Sequence, residues 1–413
     1  MPQPSTGLAD EPGAVVWSPQ FLEYAWSPYH PMNPVRLDLT MRLARSLGLL
    51  DRVDVVVPEQ AEEAHLLRAH TPEFLRAVQN AQPSMDDEAA ADFGLGGDDN
   101  PIFENMHEAA AMIVGGTLRA AQAIAAGDAR RAVSIGGGMH HAMREHAAGF
   151  CLYNDIVVSI SWLLENGFDR IAYIDVDVHH GDGVERAFRE DPRVLTVSVH
   201  QDPETLWPCT GYSSDVGAGR GVGSVVNLPL PPGTDDAQWL RAFHAVVPQV
   251  VTAFEPDIIV SQCGVDTHLE DPLGEFALTV EGQQAAFLAM RALADQCAQG
   301  RWLAVGGGGY DLIRVVPRAW THLLAVALGA TVDMATELPE SWRAHAAALA
   351  ADVELPTAMG DGGDVRYTPW RSVNEAAQGP GADDRLSRVD AAIADTRRAV
   401  FPLLSLDPDG PDD

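Results

Sequence analysis

The chain has 413 residues, 46% of them hydrophobic, enough for a single α/β domain with additions and a substantial core. Its 59 acidic residues against 27 basic ones give a formal charge of -32, a field that repels a nucleic-acid backbone and argues against nucleic acid as a direct partner. No apolar run of about eighteen residues is present, so no membrane partner is expected, and the start of the chain lacks the basic and apolar parts of a secretory signal. Cys151, Cys209, Cys263 and Cys297 form neither a CxxC pair nor a disulfide-like framework, which fits reduced thiols in a cytoplasm. Lysine is absent altogether, and a coding bias is sufficient to explain this.

Short β-branched runs predict strands over 14–17, 53–57, 132–135, 170–174, 194–199, 225–230, 257–262 and 302–305. Most are continuously apolar, as strands buried on both faces are. Helical stretches lie between them, over 35–47, 104–126, 155–165, 237–254, 279–297 and 315–328. This alternation predicts a three-layer α/β fold: an open, mainly parallel, eight-stranded sheet with helices on both faces. From Thr331 the pattern changes. A helix is expected over 338–351, Gly/Asp-rich loops over 359–364 and 379–384, and a final amphipathic helix over 384–404. The chain thus divides into a main domain over 14–330 and a C-terminal extension over 331–413. That extension docks on the main domain and is expected to end in a disordered Asp-Pro-Asp-Gly-Pro segment.

Four of the predicted strands run into unusual polar clusters. Ile135 is followed by Gly136-Gly137-Gly138-Met139-His140-His141, and Ile174 by Asp175-Val176-Asp177-Val178-His179-His180-Gly181-Asp182-Gly183. Gln262 is followed by Cys263-Gly264-Val265-Asp266, and Val305 by Gly306-Gly307-Gly308-Gly309-Tyr310. Ligands of open α/β sheets sit outside the carboxyl ends of the strands, so these clusters are expected to converge. Asp177, His179 and Asp266 offer two carboxylates and an imidazole, and three protein ligands with room for water is the arrangement of a catalytic zinc. The alternative is a metal-free buried hydrogen-bond network, which uncompensated carboxylates make costly.

His140 and His141 need partners that fix their tautomers, and Asp175 and Asp182 are the natural candidates. Such dyads are general acid–base equipment. Tyr310 ends a four-glycine loop and is placed to donate to a developing oxyanion. A phosphate-cradling loop is disfavoured, because no Lys-Ser/Thr follows the glycines. Cys151 as a nucleophile would leave the acidic residues without a purpose.

The run from Gly136 to Tyr310 resembles the zinc-dependent histone deacetylases segment by segment. Ala148-Gly149-Phe150-Cys151 with Asn154-Asp155, and the N-terminal His30-Pro31-Met32-Asn33-Pro34-Val35-Arg36, resemble the family's segments too. The likeness spans roughly 15–329, and Phe93-Gly94-Leu95-Gly96 with Asn100-Pro101-Ile102-Phe103 resembles the bacterial acetoin-utilisation branch. The resemblance implies amide hydrolysis of acyl-lysine in proteins, with acetylated acyl-CoA synthetases as the suggested substrates. Asp177, His179 and Asp266 would hold Zn²⁺, with Fe²⁺ as the alternative. His141 would be the general base and then acid, His140 mainly electrostatic, and Tyr310 the polariser of the acyl carbonyl. Asp99 would hold the substrate backbone, Phe150 and Trp207 would flank the lysine chain, and Gly149 would accept from its amide. Structural potassium would sit near Asp175, Asp177, His179, Ser198 and Val199, with a second ion near Phe188, Asp191 and Val194. Arg36 would line an internal pocket below the metal. An enzyme acting on acylated lysines would, without lysines of its own, escape modification by the same acyl groups.

Several positions depart from the family. Trp207 stands where many members have Phe, Cys209 where many have Gly, and Met139 where several have Trp or Pro, so the width of the tunnel and the acyl preference stay open. Asn33 replaces the Lys that helps bind inositol phosphates in nuclear class I enzymes, so no inositol phosphate is expected. An acetylpolyamine or other small-molecule amidohydrolase would share the chemistry but use an acidic gate. Leu273 occupies that place, with Glu270 and Glu275 near it in sequence. A ureohydrolase of related fold would need a second set of metal ligands, and a binder without activity would be expected to have lost Tyr310 or a ligand.

Overall fold

The computed structural model describes residues 13–53, 55–83, 90–371 and 384–410. Eight strands form one sheet: β1 (Gly13–Val16), β2 (Val55–Val56), β3 (Arg131–Ser134), β4 (Ile171–Asp175), β5 (Val194–Gln201), β6 (Val225–Leu230), β7 (Ile258–Gln262) and β8 (Trp302–Val305). Their order is β2-β1-β3-β8-β7-β4-β5-β6, and every neighbouring pair is parallel. All residues of β3, β4, β5, β7 and β8 are buried, so both faces of the central sheet are covered.

The order matters more than the count. β3, β8, β7 and β4 are adjacent, and their ends are level: Ser134 pairs with Val305, Val305 with Gln262, and Gln262 with Asp175. The four polar clusters therefore emerge from one edge, side by side. That adjacency is a property of the pairing, which local sequence does not encode.

The helices are α1 (Val35–Ser46), α2 (Glu63–Leu66), α3 (Pro72–Asn80), α4 (Met106–Ala126), α5 (Asp155–Glu165), α6 (Asp182–Phe188), α7 (Asp236–Phe254), α8 (Val280–Cys297), α9 (Val316–Ala327), α10 (Glu340–Leu349) and α11 (Asp384–Val400). Side-chain caps start several of them. Asn154 accepts from the Val157 amide at α5, Asp235 from Gln238 at α7, and Thr279 from Gly282 at α8. Among the described residues α4 alone has the length and apolarity of a membrane span, yet it packs on β1, β3 and β8 as a core helix.

All eight predicted strands are present within a few residues of the expected bounds. The helices α2, α3 and α6 were not expected; α2 and α6 are too short to show a periodicity, and α6 lies inside the polar cluster after β4. The last helix ends at Val400 rather than 404. A 3-10 turn, Phe401–Leu404, replaces it where Pro402 cannot donate a backbone bond.

The C-terminal segment lies on β6 and α7. Thr396 donates to the Asn227 carbonyl at 2.8 Å, and Arg241 pairs with Asp390 at 2.7 Å. The end expected to be disordered makes defined contacts through Gly410. The buried Arg397 guanidinium donates to the carbonyls of Asp407, Pro408 and Gly410, and it lies 4.4 Å from the Trp370 ring. The loop at 359–364 is likewise fixed, with Asp361 bound to Arg318 at 2.7 Å and to His268 at 3.0 Å. Of the loop expected over 379–384, residues 379–383 lie outside the described residues, as do 411–413.

Candidate active site

The ligand atoms of Asp177, His179 and Asp266 lie within 4.8 Å of one another, and all three residues are buried. His179 Nδ1 is 3.2 Å from Asp177 Oδ1 and 3.1 Å from Asp266 Oδ2. Backbone and side-chain donors fix the carboxylates: Gln262 Nε2 and the Gly308 amide donate to Asp177 Oδ2 at 2.6 and 2.8 Å, and the Val178 amide donates to Asp266 Oδ1 at 2.8 Å. Gly308 has to be glycine, because a Cβ there would lie 2.0 Å from Asp266 Oδ2.

Two buried carboxylates this close cannot both ionise without a cation. Burial and the Asp177 charge push Asp266 well above the usual carboxylate range. Burial opposes charge on His179, yet Asp177 and Asp266 together hold it up at about 10. The group of donors thus calls for positive charge at its centre, and a divalent ion held by two oxygens and one nitrogen fits it.

Beside this group stand two dyads. His140 Nδ1 is 2.8 Å from Asp175 Oδ2, which also accepts from Tyr173 Oη, and His141 Nδ1 is 2.7 Å from Asp182 Oδ1. The rings are 3.9 Å apart, and their environments split them. On His140, burial is overcome by Asp175 and Asp177, and its pKa rises to about 9. On His141, burial and the neighbouring His140 charge win, and its pKa falls to about 4. The surroundings thus push the two histidines apart, His140 towards the charged form and His141 towards the neutral one.

The walls are aromatic. Trp207 lies 4.6 Å from the His141 ring and is 44% exposed; Phe150 lies 5.8 Å from the Tyr310 ring. Phe150 has φ 65°, unusual for a bulky side chain, and Tyr24 Oη holds that turn by donating to the Phe150 carbonyl at 2.9 Å. Gly149 precedes it with φ 51°, and a Cβ there would strike both His141 and Trp207 at 2.6 Å. Burial, with the Asp266 and Asp177 charges, raises the Tyr310 hydroxyl well above 10, so it keeps its proton and can donate.

Further out, Asp99 is exposed, with its carbonyl 3.2 Å from His30 Nε2, and it shares a surface groove with Gly149 and Trp207. Leu273 is half-buried in the loop after Asp266. Arg36 is buried, donates to the Gly309 carbonyl at 2.9 Å and lies 5.0 Å from the Trp320 ring. Of the residues expected around potassium, Asp175 and Ser198 are paired across β4 and β5, next to Val199. The second set forms one turn, in which Asp191 N donates to the Phe188 carbonyl and Val194 N to that of Asp191.

Two residues of the site were missed in the sequence. Asp271 is buried and accepts from the Tyr310 amide at 2.7 Å and the Leu273 amide at 2.9 Å, so it ties the tyrosine loop to the rim. Burial lifts its pKa to about 6. The signal for it was a lone Asp before Pro272, close after Asp266. Gln262 reads in the sequence as no more than the last residue of an apolar strand; the polar end of that run is the cue to its role.

Comparison with known proteins agrees with this geometry. The family model of the histone deacetylase domain matches residues 30–327. The acetoin utilization protein AcuC of Bacillus subtilis is 39% identical over 355 residues, covering 86% of this chain and 91% of that protein. AcuC of Staphylococcus xylosus is 37% identical over 79% of this chain and 85% of its own length. Among solved structures, a histone deacetylase homologue from Aquifex aeolicus superposes with a TM-score of 0.77 at 29% identity, covering 86% of this chain and 97% of that one. A homologue complexed with SAHA superposes equally well, at 30% identity. The chain belongs to the histone deacetylase family, alongside these AcuC-type relatives.

Proposed function

We propose that this deacetylase hydrolyses the side-chain amide of acyl-lysine in proteins, with Zn²⁺, or Fe²⁺ in its place, held by Asp177, His179 and Asp266. The observation that carries the reading is the pair of histidine dyads beside one carboxylate pair, at the foot of an aromatic slot. The metal, when bound, supplies Lewis-acid activation of water and of the acyl carbonyl. Everything else is done by the chain. Asp182 fixes His141 through Nδ1, which leaves Nε2 to take a proton from the attacking water and pass it to the departing amine. His140, paired with Asp175, stays charged and stabilises the anion that builds up nearby. Tyr310 donates to the acyl oxygen, a bond that strengthens as that oxygen becomes an anion. Phe150 and Trp207 enclose the alkyl chain, Gly149 accepts from the lysine amide, and Asp99 grips the substrate backbone. Potassium near Asp175 and Ser198, and in the 188–194 turn, belongs to the same reading as structural support. Acetylated acyl-CoA synthetases in the cytoplasm are the protein substrates that belong to this reading.

The rim favours a peptide over a small polycation. Glu270 is engaged by Arg314 at 2.8 Å, and the Glu275 carboxylate lies 3.4 Å from the Gln201 amide. The apolar Leu273 stands between them in sequence, leaving no dedicated acidic gate. The test compares acetate release from an acetyl-lysine peptide and from N-acetylputrescine by metal-loaded protein, before and after chelation. Faster, chelator-sensitive peptide hydrolysis is expected, restored by Zn²⁺ or Fe²⁺. A preference for N-acetylputrescine would move the assignment to a small-molecule amidohydrolase, and full turnover in metal-free protein would overturn the metal assignment.

A further inference from the structure

On the far side of the dyad loop lies a cavity of about 260 Å³ that the chemistry above does not use. Three arginines line it, Arg68, Arg144 and Arg186, together with Ser161 and Asn154, and no carboxylate does. In a chain with 59 acidic and 27 basic residues, that local composition runs against the whole molecule. Arg68 is neutralised by Glu165 at 2.8 Å and anchored on the Ala64 carbonyl at 2.9 Å. Among the described residues no carboxylate pairs with Arg144 or Arg186. The cavity is therefore lined by two solvent-exposed arginines whose charge no described carboxylate balances at contact distance.

The frame around them is fixed. The Thr71 amide donates to the Arg144 carbonyl at 3.0 Å, and His70 Nδ1 lies 2.9 Å from the Met143 carbonyl. The buried Asn154 side chain donates to the Ala142 carbonyl at 3.0 Å and caps α5 through its oxygen. Arg186 sits one turn along α6 from Asp182, the partner of His141. Two guanidinium groups that line one cavity can be bridged by a single multivalent anion.

We propose that this cavity is a binding site for a small phosphate-bearing anion. Guanidinium groups match phosphate oxygens with paired, charge-assisted hydrogen bonds, and a phosphate brings roughly the -1.5 to -2 charge needed to balance Arg144 and Arg186. The volume lies below the roughly 300–1,000 Å³ of drug-sized sites, which limits the ligand to inorganic phosphate or the ester of a small metabolite. The net charge of the chain disfavours a polyanion such as nucleic acid. Both free arginines are exposed to solvent, so entry needs no opening of the fold. An occupant would rest against the segment that follows His141 and the helix that carries Asp182.

The test is calorimetric titration of the metal-loaded full chain at constant ionic strength, with the active-site metal blocked by a saturating hydroxamate. The probes are inorganic phosphate and glycerol 3-phosphate. One-to-one binding of at least one probe is expected, weakened tenfold or more in Arg144→Gln/Arg186→Gln. Circular dichroism and metal content should show that variant to be folded and loaded. Arg144→Lys/Arg186→Lys should fall between the two, since lysine keeps the charge but loses the fork. Tighter binding of glycerol 3-phosphate would identify an ester as the ligand, and tighter binding of inorganic phosphate the free ion. No binding to the wild type, or equal binding to wild type and the glutamine variant, would overturn the proposal.

Discussion

The floor and the rim of the active site are built differently. On the floor, Asp175, Asp177 and Asp266 are at most 1% exposed, and each carboxylate is met by histidine and by backbone or side-chain donors. On the rim, Asp99 and Trp207 are exposed, Leu273 is half-buried, and their positions come from loops. The floor hangs from four strand ends in register, so its atoms hardly move independently. A change on the floor leaves a buried charge or donor without its partner, whereas a change on the rim alters only what fits. Under the proposed function, the difference assigns the reaction to the floor and the choice of substrate to the rim.

The sharpest way to break that contrast is Asp266→Ala. It removes one of the three groups proposed to hold the metal and the acceptor of the Val178 amide. Metal content should fall to background in elemental analysis, and peptide hydrolysis with it, because two ligands hold a divalent ion poorly. Retention of both would mean that the triad is not the metal site. Next comes the split between the histidines. His141→Ala should cost about 10² to 10⁴ in turnover, the usual worth of a positioned proton carrier. His140→Ala should leave measurably more activity in single-turnover assays at matched metal content; the reverse order would exchange their roles. The smallest effect belongs to the rim. Leu273→Glu should raise the rate on N-acetylputrescine relative to an acetyl-lysine peptide by several-fold, with peptide turnover kept within an order of magnitude. An unchanged ratio would put the gate elsewhere.

Much of the floor was legible in the sequence, and the reason is physical. Continuous apolar runs marked the strands because both sheet faces are buried, and the polar clusters stood directly after them. What could not be read was which strands are neighbours. Asp177 meets Gly308 and Gln262 only because β4, β7 and β8 lie side by side. Asp271 stays hidden because its carboxylate acts by accepting hydrogen bonds from two backbone amides, one of them that of Tyr310, far along the chain. The contacts of the tail are equally non-local: its prolines, glycine and aspartates show no partner in the sequence, and Arg397 gathers their carbonyls. Arg144 and Arg186 themselves lie in none of the motifs, and their cavity is assembled from four separate stretches of chain.

Tyr310→Phe tests the account most directly, since it touches the floor at a single oxygen and leaves the ring against Phe150. Steady-state kinetics on an acetyl-lysine peptide, with metal content measured alongside, should show kcat lower by about 10² to 10³ and KM little changed, as removal of one oxyanion donor requires. Turnover at the wild-type rate with full metal loading would contradict the account, because the hydroxyl would then not face the reacting carbonyl.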